Sequence, residues 1–240
     1  MMINYQLSNI SFLTILQNFR KFFTIIFFLF IAPSSFAGSY EFSFYGGMNQ
    51  PAHSSVKFSG ASSSYGVEDG SYSTEGWKGK SFESPIYYGL RLNYWFEDQP
   101  WGIGLDFNHS KVIPETLPAG LRRLEFTDGL NTLTFTGFYR LKNKIFTHIQ
   151  PYLGLGIGFS YPHVEITGTS SSTGRTYEYQ STGLAYQILG GLKFPLFKDF
   201  GGFAEYRLTY TPLEADLNGG GKFESDINNS QFSLGITYTF

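Results

Sequence analysis

The sequence predicts an all-β fold: an eight-stranded antiparallel transmembrane β-barrel preceded by a cleaved signal peptide. Three observations predict it. First, 19% of the 240 residues are aromatic (26 Phe, 17 Tyr, 3 Trp), whereas Asp, Glu, Lys and Arg together make 15%, below the roughly 25% of soluble domains. Second, apolar residues recur with period two, and small residues rather than charges fill the positions between them. Third, the connectors alternate between short and long. The same composition excludes other classes. A disordered chain is charge-rich and aromatic-poor, and zero cysteines exclude a disulfide scaffold, thiol catalysis and Cys-ligated zinc. The mean hydropathy is too low for a protein of many membrane helices.

The first element is the export signal, residues 1–37. It has no acidic residue, one basic pair at Arg20 and Lys21, an apolar run from Phe22 to Ala32, a break at Pro33 and small residues at Ser35 and Ala37. That order is n-region, h-region and cleavage site, and the run is short of the roughly 20 residues a spanning helix needs. The formal charge of the whole chain is −2. Without Arg20 and Lys21, 15 basic and 19 acidic residues remain, so the mature chain 38–240 carries −4.

Eight strand segments follow, at roughly 40–50, 82–96, 101–113, 123–141, 147–165, 178–194, 200–212 and 229–240. In the third, Trp101, Ile103, Leu105 and Phe107 share one face, while Gly102, Gly104, Asp106 and Asn108 share the other. In the fifth, Gly154, Gly156, Gly158 and Ser160 stand opposite the apolar face. The last ends on Phe240, which should pair back to the first strand. Glycine, serine and threonine opposite a greasy face suit a narrow barrel interior, so Leu105, Leu155, Ile157, Leu234 and Ile236 should face lipid. A soluble lipocalin-like barrel, the competing fold, would carry more surface charge. The connectors at 97–100, 142–144 and 197–199 are tight; those near 51–81, 114–122, 166–177 and 213–228 are long and polar. Short periplasmic turns and long outer loops are the arrangement of a Gram-negative outer-membrane barrel. Tyr87, Tyr88, Tyr94, Trp95, Trp101, Tyr161, Tyr206 and Tyr210 fit its interfacial girdles.

Eight strands leave no through-channel, because side chains fill so narrow a lumen. Parity sends Arg91, Asp106, Glu205 and Arg207 inward, where matched charges form a structural ion-pair network. Of four histidines, His148 lies at the periplasmic end, whereas His53, His109 and His163 lie where strands run into outer loops. Without a bulge, His109, Glu125 and His163 share a side, with Asp128 and Glu165 near; Asp128-Gly129 invites a bulge that would flip Glu125. Such a set suits a divalent metal, iron or copper first and zinc next. The bland alternative is ordinary polar residues at a membrane interface. His53-Ser54-Ser55 offers a base two residues from a hydroxyl, as in a serine-type lipid deacylase. Lys78, Lys80, Lys111, Arg122 and Arg123 fall at the outer rim, where cations bind lipopolysaccharide phosphates or simply anchor the barrel. The chain shows no nucleotide fingerprint and no basic face for nucleic acid, and a monomer is expected.

These rim segments resemble the lipid A oxidases, a family of small outer-membrane barrels. The stretches Gly104-Leu-Asp-Phe-Asn-His-Ser-Lys111 and Tyr161-Pro-His-Val-Glu165 carry the resemblance, together with 76–85, 87–91, 124–131 and 178–183. They run through most of the chain from about residue 76. The resemblance implies oxidation of the proximal glucosamine of lipid A by oxygen to 2-aminogluconate. It places His109 and His163 within family-like wording and assigns no residue a role. The sequence therefore carries an oxygen-dependent oxidase at the outer leaflet and, beside it, a non-catalytic barrel of OmpA-like size serving membrane integrity or adhesion. A lipid A deacylase or acyltransferase is the third reading.

Overall fold

Alternation sets the backbone pattern, and the computed structural model, which describes residues 38–141, 148–169 and 174–240, consists almost wholly of antiparallel strands. The predicted signal peptide and the tight turn at 142–144 lie outside the described residues. Eight long strands form the frame: β1 (Gly38–Pro51), β5 (Tyr88–Phe96), β6 (Trp101–Pro114), β7 (Leu121–Arg140), β8 (Gln150–Ser160), β11 (Gly183–Phe197), β12 (Phe200–Asp216) and β13 (Lys222–Thr239). Short pieces lie between them: β2 (Ser55–Ser59), α1 (Ser62–Tyr65), β3 (Gly70–Ser73), β4 (Trp77–Lys78), β9 (His163–Gly168) and β10 (Arg175–Tyr179). The eight pair in the order β7-β8-β11-β12-β13-β1-β5-β6, and β6 pairs back to β7. The ring is closed, as predicted. Its seam is β1 on β13, where Phe240 donates to the Tyr40 carbonyl at 2.9 Å and accepts from Tyr40 at 3.0 Å.

The belt outside the ring is apolar. Leu155, Ile157, Leu234 and Ile236 are 51–67% exposed, and Leu105 is half-buried on the same outer face. In water such a belt would cost tens of kcal/mol at about 25 cal/mol per Å²; in a bilayer it is the solvated surface. Two expected girdle residues point the other way. Tyr87 and Trp95 are 1% and 4% exposed, inside the ring. Trp95 fits there because Gly102 faces it across the strand pair; a Cβ at that glycine would stand 2.5 Å from the indole. Inside, from the turn end upward, lie Trp95 with Phe138, Tyr152 and Leu189, then a charged layer with Phe203 on its turn side and Tyr45 and Tyr87 on its loop side.

Above the belt the chemistry inverts. Along β12 the inward row runs Glu205, Arg207, Thr209, Thr211 and then Leu213 and Ala215, while the outward row runs Tyr206, Leu208, Tyr210 and then Glu214 and Asp216. One face changes from polar to apolar and the other does the reverse where lipid gives way to water. Of the expected long loops, 213–228 is therefore mostly strand, while 51–81 carries the short strands β2, β3 and β4, and β9 and β10 reach into 166–177. β12 and β13 pair without interruption to Asp216↔Lys222, β2 lays against β13, and β9 with β10 extends the wall beside β7. They enclose a second core that includes Val56, Phe58, Trp77, Phe126, Ile166 and Phe223. Burial of these side chains is what holds the polar-looking segments in extended form.

Candidate functional site

The charged layer of the lumen is a closed network. Arg91 donates Nη1 and Nη2 to the two oxygens of Glu205 at 2.8 Å each, and Nε to Asp106 at 2.8 Å. Arg207 bridges Asp106 and Glu205, also at 2.8 Å. Tyr45 donates to Asp106 at 2.6 Å and Tyr152 to Glu205 at 2.8 Å. The four predicted residues meet, none more than 2% exposed. Two guanidinium groups balance two carboxylates almost out of contact with solvent, with Arg207 Nε left unpartnered, so the network is a structural plug. The two tyrosines completing it, Tyr45 and Tyr152, were not singled out in the sequence.

The rim candidates divide into two neighbouring places on the outer wall. On β9, Val164 and Ile166 enter the second core, so His163 and Glu165 face outward by alternation. Glu125 stands directly opposite Glu165 on β7. The anticipated bulge is present: Ser110 pairs with Leu130 and Val112 with Phe126, two steps on β6 against four on β7. Two extra residues preserve parity, so Glu125 is not flipped, and Asp128 is thrown out beside His163. His163 Nδ1 lies 3.1 Å from Glu165 Oε1 and 3.5 Å from Asp128 Oδ2. Donor atoms of Asp128, His163 and Glu165 all lie within 4.8 Å of one another. Two ligands bound at about 2.1 Å to one ion stand roughly 3.0–3.4 Å apart; the two distances from His163 are near that, and side-chain rotation of the exposed Asp128 would have to draw the two carboxylates in from the 4.8 Å limit. The His163–Glu165 spacing equally serves a hydrogen bond when Nδ1 is protonated. The field there is negative: Glu165 first and Asp128 second raise the pKa of the Tyr177 phenol. Arg123 forms ion pairs with Glu125 and Glu165. Tyr177 and Tyr179 pack on the His163 ring at 4.5 and 4.7 Å, which explains how an outward histidine stays 6% exposed.

His109 does not join this set. Its Nδ1 donates to Asn131 Oδ1 at 2.8 Å, and Tyr88 stacks on the ring at 4.9 Å. The expected two-histidine centre is thus corrected to one histidine with two carboxylates, and Glu125 is occupied by Arg123. The bulge is the cause. Gly129, at φ +111°, turns the chain back against His109, and a Cβ there would lie 2.4 Å from Nδ1. His109 instead floors a groove of about 420 Å³ whose walls are Tyr88, Phe107, Tyr161 and Tyr179, with Asn131 and Asp128 along it. Asn131, Tyr88, Tyr177 and Tyr179 were not singled out in the sequence as site residues; only their alternation with His109, His163 and Glu165 on neighbouring strands could have found them.

The rim cations are scattered and engaged. Lys78 pairs with Glu115 at 3.9 Å and Lys80 with Glu83 at 3.0 Å. Lys111 is 5% exposed and donates to the Ser84 carbonyl at 2.7 Å, so it is not the free rim cation expected. Arg122 donates to the Gly168 carbonyl at 2.9 Å. His53 Nε2 meets the Ser73 hydroxyl at 3.2 Å rather than that of Ser55, and Ser54 accepts from the Trp77 indole at 2.8 Å, so the suggested pairing of His53 with a hydroxyl two residues on does not form. His148 lies at the turn end beside Arg140 and Lys198.

The family described as outer membrane protein β-barrel domain matches residues 23–240. No curated protein sequence matches the chain. Among solved structures, Neisserial surface protein A is 14% identical, covers 85% of this chain and 100% of its own, and gives a TM-score of 0.45. The N-terminal barrel domain of Pseudomonas aeruginosa OprF is 14% identical with the same coverages and a TM-score of 0.41. Ail, the attachment invasion locus protein of Yersinia pestis, is 18% identical over 82% of this chain and 98% of its own, at a TM-score of 0.37.

Proposed function

Because this chain belongs to the outer membrane protein β-barrel domain family and so lies in the outer membrane, we propose that it acts on lipid A at the outer leaflet, as an oxygen-dependent oxidase of the proximal glucosamine. One observation carries the reading: the donors of Asp128, His163 and Glu165 converge on the outer wall, two residues beyond Tyr161, which is 53% exposed at the top of the lipid-facing belt. That is headgroup height, where the sugar backbone of lipid A lies. In the reaction a hemiacetal C1 with a free hydroxyl, as in lipid A carrying no phosphate at that carbon, loses two electrons and two protons to oxygen, giving hydrogen peroxide and the lactone. Water opens the lactone to 2-aminogluconate, a net gain of one oxygen atom.

Oxygen is a triplet and reacts slowly with a closed-shell sugar, so a redox-active metal, iron or copper, would supply the electron path. Asp128, His163 and Glu165 would hold it. Arg123 neutralises and orients the far oxygen of Glu165, the role a partner outside the ligand set plays in fixing a carboxylate. Tyr177 and Tyr179 keep water from the His163 ring.

The test is mass spectrometry of lipid A from cells with and without the gene. Lipid A heavier by one oxygen atom is expected with the gene, and loss of that product after chelation or in His163→Ala. Metal analysis of the purified barrel should show one bound ion, absent from Asp128→Asn. Unchanged lipid A overturns the reading, and a lost acyl chain replaces it with deacylation.

A further inference from the structure

We propose that the groove floored by His109 is a pyranose-binding subsite that seats a glucosamine ring of lipid A beside the carboxylate cluster. The inference deepens the reading of lipid A as the substrate and rests on it for the ligand's identity.

Three observations on the groove point to a sugar. Its walls are aromatic: Tyr161 and Tyr179 stack on one another at 5.7 Å with only 8° between their planes, which fixes both rings as one wall, and Tyr88 stands on the side of His109. Its floor is polar. Apolar C–H faces against rings, with carboxylate and amide groups for the hydroxyls, is the pairing a pyranose needs, since such a ligand is apolar on its faces and polar on its edge. A bare acyl chain would have no use for Asp128, His109 and Asn131.

The second observation is an orphaned atom. His109 is 5% exposed, and its Nε2 is buried with no hydrogen-bond partner. Asn131 fixes what that atom can do. Its Nδ2 donates to the Tyr161 carbonyl at 3.4 Å, which turns Oδ1 toward His109 as an acceptor. Nδ1 of His109 is therefore the donor, and Nε2 of the neutral ring is an acceptor. A buried acceptor without a donor costs free energy, and a hydroxyl of a ring seated in the groove supplies that donor once the Tyr88 ring stacked on His109 shifts to admit it. The third observation is place. Phe107 lines the groove from the outer row of β6 that also carries Leu105, so the groove opens where the lipid belt ends. Asp128 belongs to both the groove and the cluster of His163 and Glu165, so a ring bound in the first is delivered to the second.

Native mass spectrometry of the full detergent-solubilised barrel tests this, with lipid A as probe and phosphatidylglycerol as the control for chains and charge. Tyr161→Ala and Asn131→Leu should each lower retention of lipid A about ten-fold and leave phosphatidylglycerol retention unchanged. Tyr161 is an exposed side chain, so its loss spares the fold even where Asn131→Leu disturbs it. Tyr206→Ala removes an equally exposed tyrosine of the lipid-facing belt that lies outside the groove, and should retain lipid A as wild type does. Undiminished lipid A retention in Tyr161→Ala, or a parallel loss of phosphatidylglycerol, overturns the subsite. So does a loss in Tyr206→Ala equal to that in the groove variants. Retention is read without turnover, so a barrel that binds lipid A here yet leaves it unoxidised sinks the oxidase reading alone.

Discussion

Arg207 is 0% exposed, and its charge is tolerable in a bilayer-spanning ring only because Asp106, Glu205 and the Tyr45 hydroxyl surround it. Removing one member leaves the others buried and unbalanced, which typically costs about 3–5 kcal/mol. Arg207→Met should therefore lower stability by about that amount in a reversible refolding titration in lipid vesicles. Lys57→Ala gives the contrast. Its pair with Glu224 is 3.2 Å long but its side chain is 57% exposed, so the change should cost no more than ~1 kcal/mol. Equal costs would mean that water reaches the lumen layer. Parity alone placed all four charges of that layer. It could not place Tyr45, Tyr87 or Trp95, because an aromatic on a barrel strand suits both the lumen and the girdle; for Tyr45 and Trp95 what decides is the room that Gly89 and Gly102 leave. The same limit divided the histidines. His109 and His163 share a wall, but the turn at Gly129 gives one to Asn131 and the other to Asp128, and no spacing in the sequence encodes that.

The strands β12 and β13 carry two environments in one element, and their substitutions should sort by height as well as by face. Phe223 is 0% exposed in the upper core, packed on Phe58 at 5.4 Å. Phe223→Ala should cost about 3–5 kcal/mol, the range for truncating a buried aromatic. On β8, Ile157 is 51% exposed on the lipid face, and Ile157→Arg should cost about 2–4 kcal/mol if the site lies near the bilayer midplane. The discriminating result is solvent dependence. Transfer from vesicles to detergent micelles should shrink the second cost and leave the first unchanged, because only Ile157 contacts lipid. Identical responses would remove the boundary drawn along β12. The belt half of these strands was legible, since small residues opposite apolar ones have no other common use. The upper half was not. Leu213, Ala215 and Phe223 still alternate with Glu214, Asp216 and Glu224, but acidic residues near glycines read as loop until the apolar row is seen to continue inward. Pairing partners distant in sequence, β2 on β13 and β9 on β7, are what make that row a core.

From the turn end to the loop end, successive layers block the axis of the ring. Glu41 and Lys193 pair at the mouth, the cluster of Trp95, Phe138, Tyr152 and Leu189 follows, and the charged plug lies above it. Next come Tyr87, Asn108, Gln231 and Ser233, joined by hydrogen bonds, and then the upper apolar core. An ion crossing this path would have to shed its hydration in an apolar layer twice, at a cost per layer of several kcal/mol or more. The protein reconstituted in a planar bilayer should therefore show no stepwise conductance. A single truncation should not open it, because the layers act in series. Leu189→Gly empties part of the lower cluster, yet the four-charge plug and the upper core remain, and a series barrier is set by its highest member. Discrete conductance steps in wild type would show that the layers part together. Steps only in Leu189→Gly would show that the upper core is not sealed, and would also undermine its description as a packed continuation of the barrel. A sealed axis has a consequence for the proposed chemistry: a ligand would have only the outer wall to approach from. On that wall Asp128 is 47% exposed, while His163 and Glu165 lie covered beside it, so Asp128 is the member of the cluster that a ligand meets first. The lumen carboxylates Asp106 and Glu205 have no such exposed neighbour.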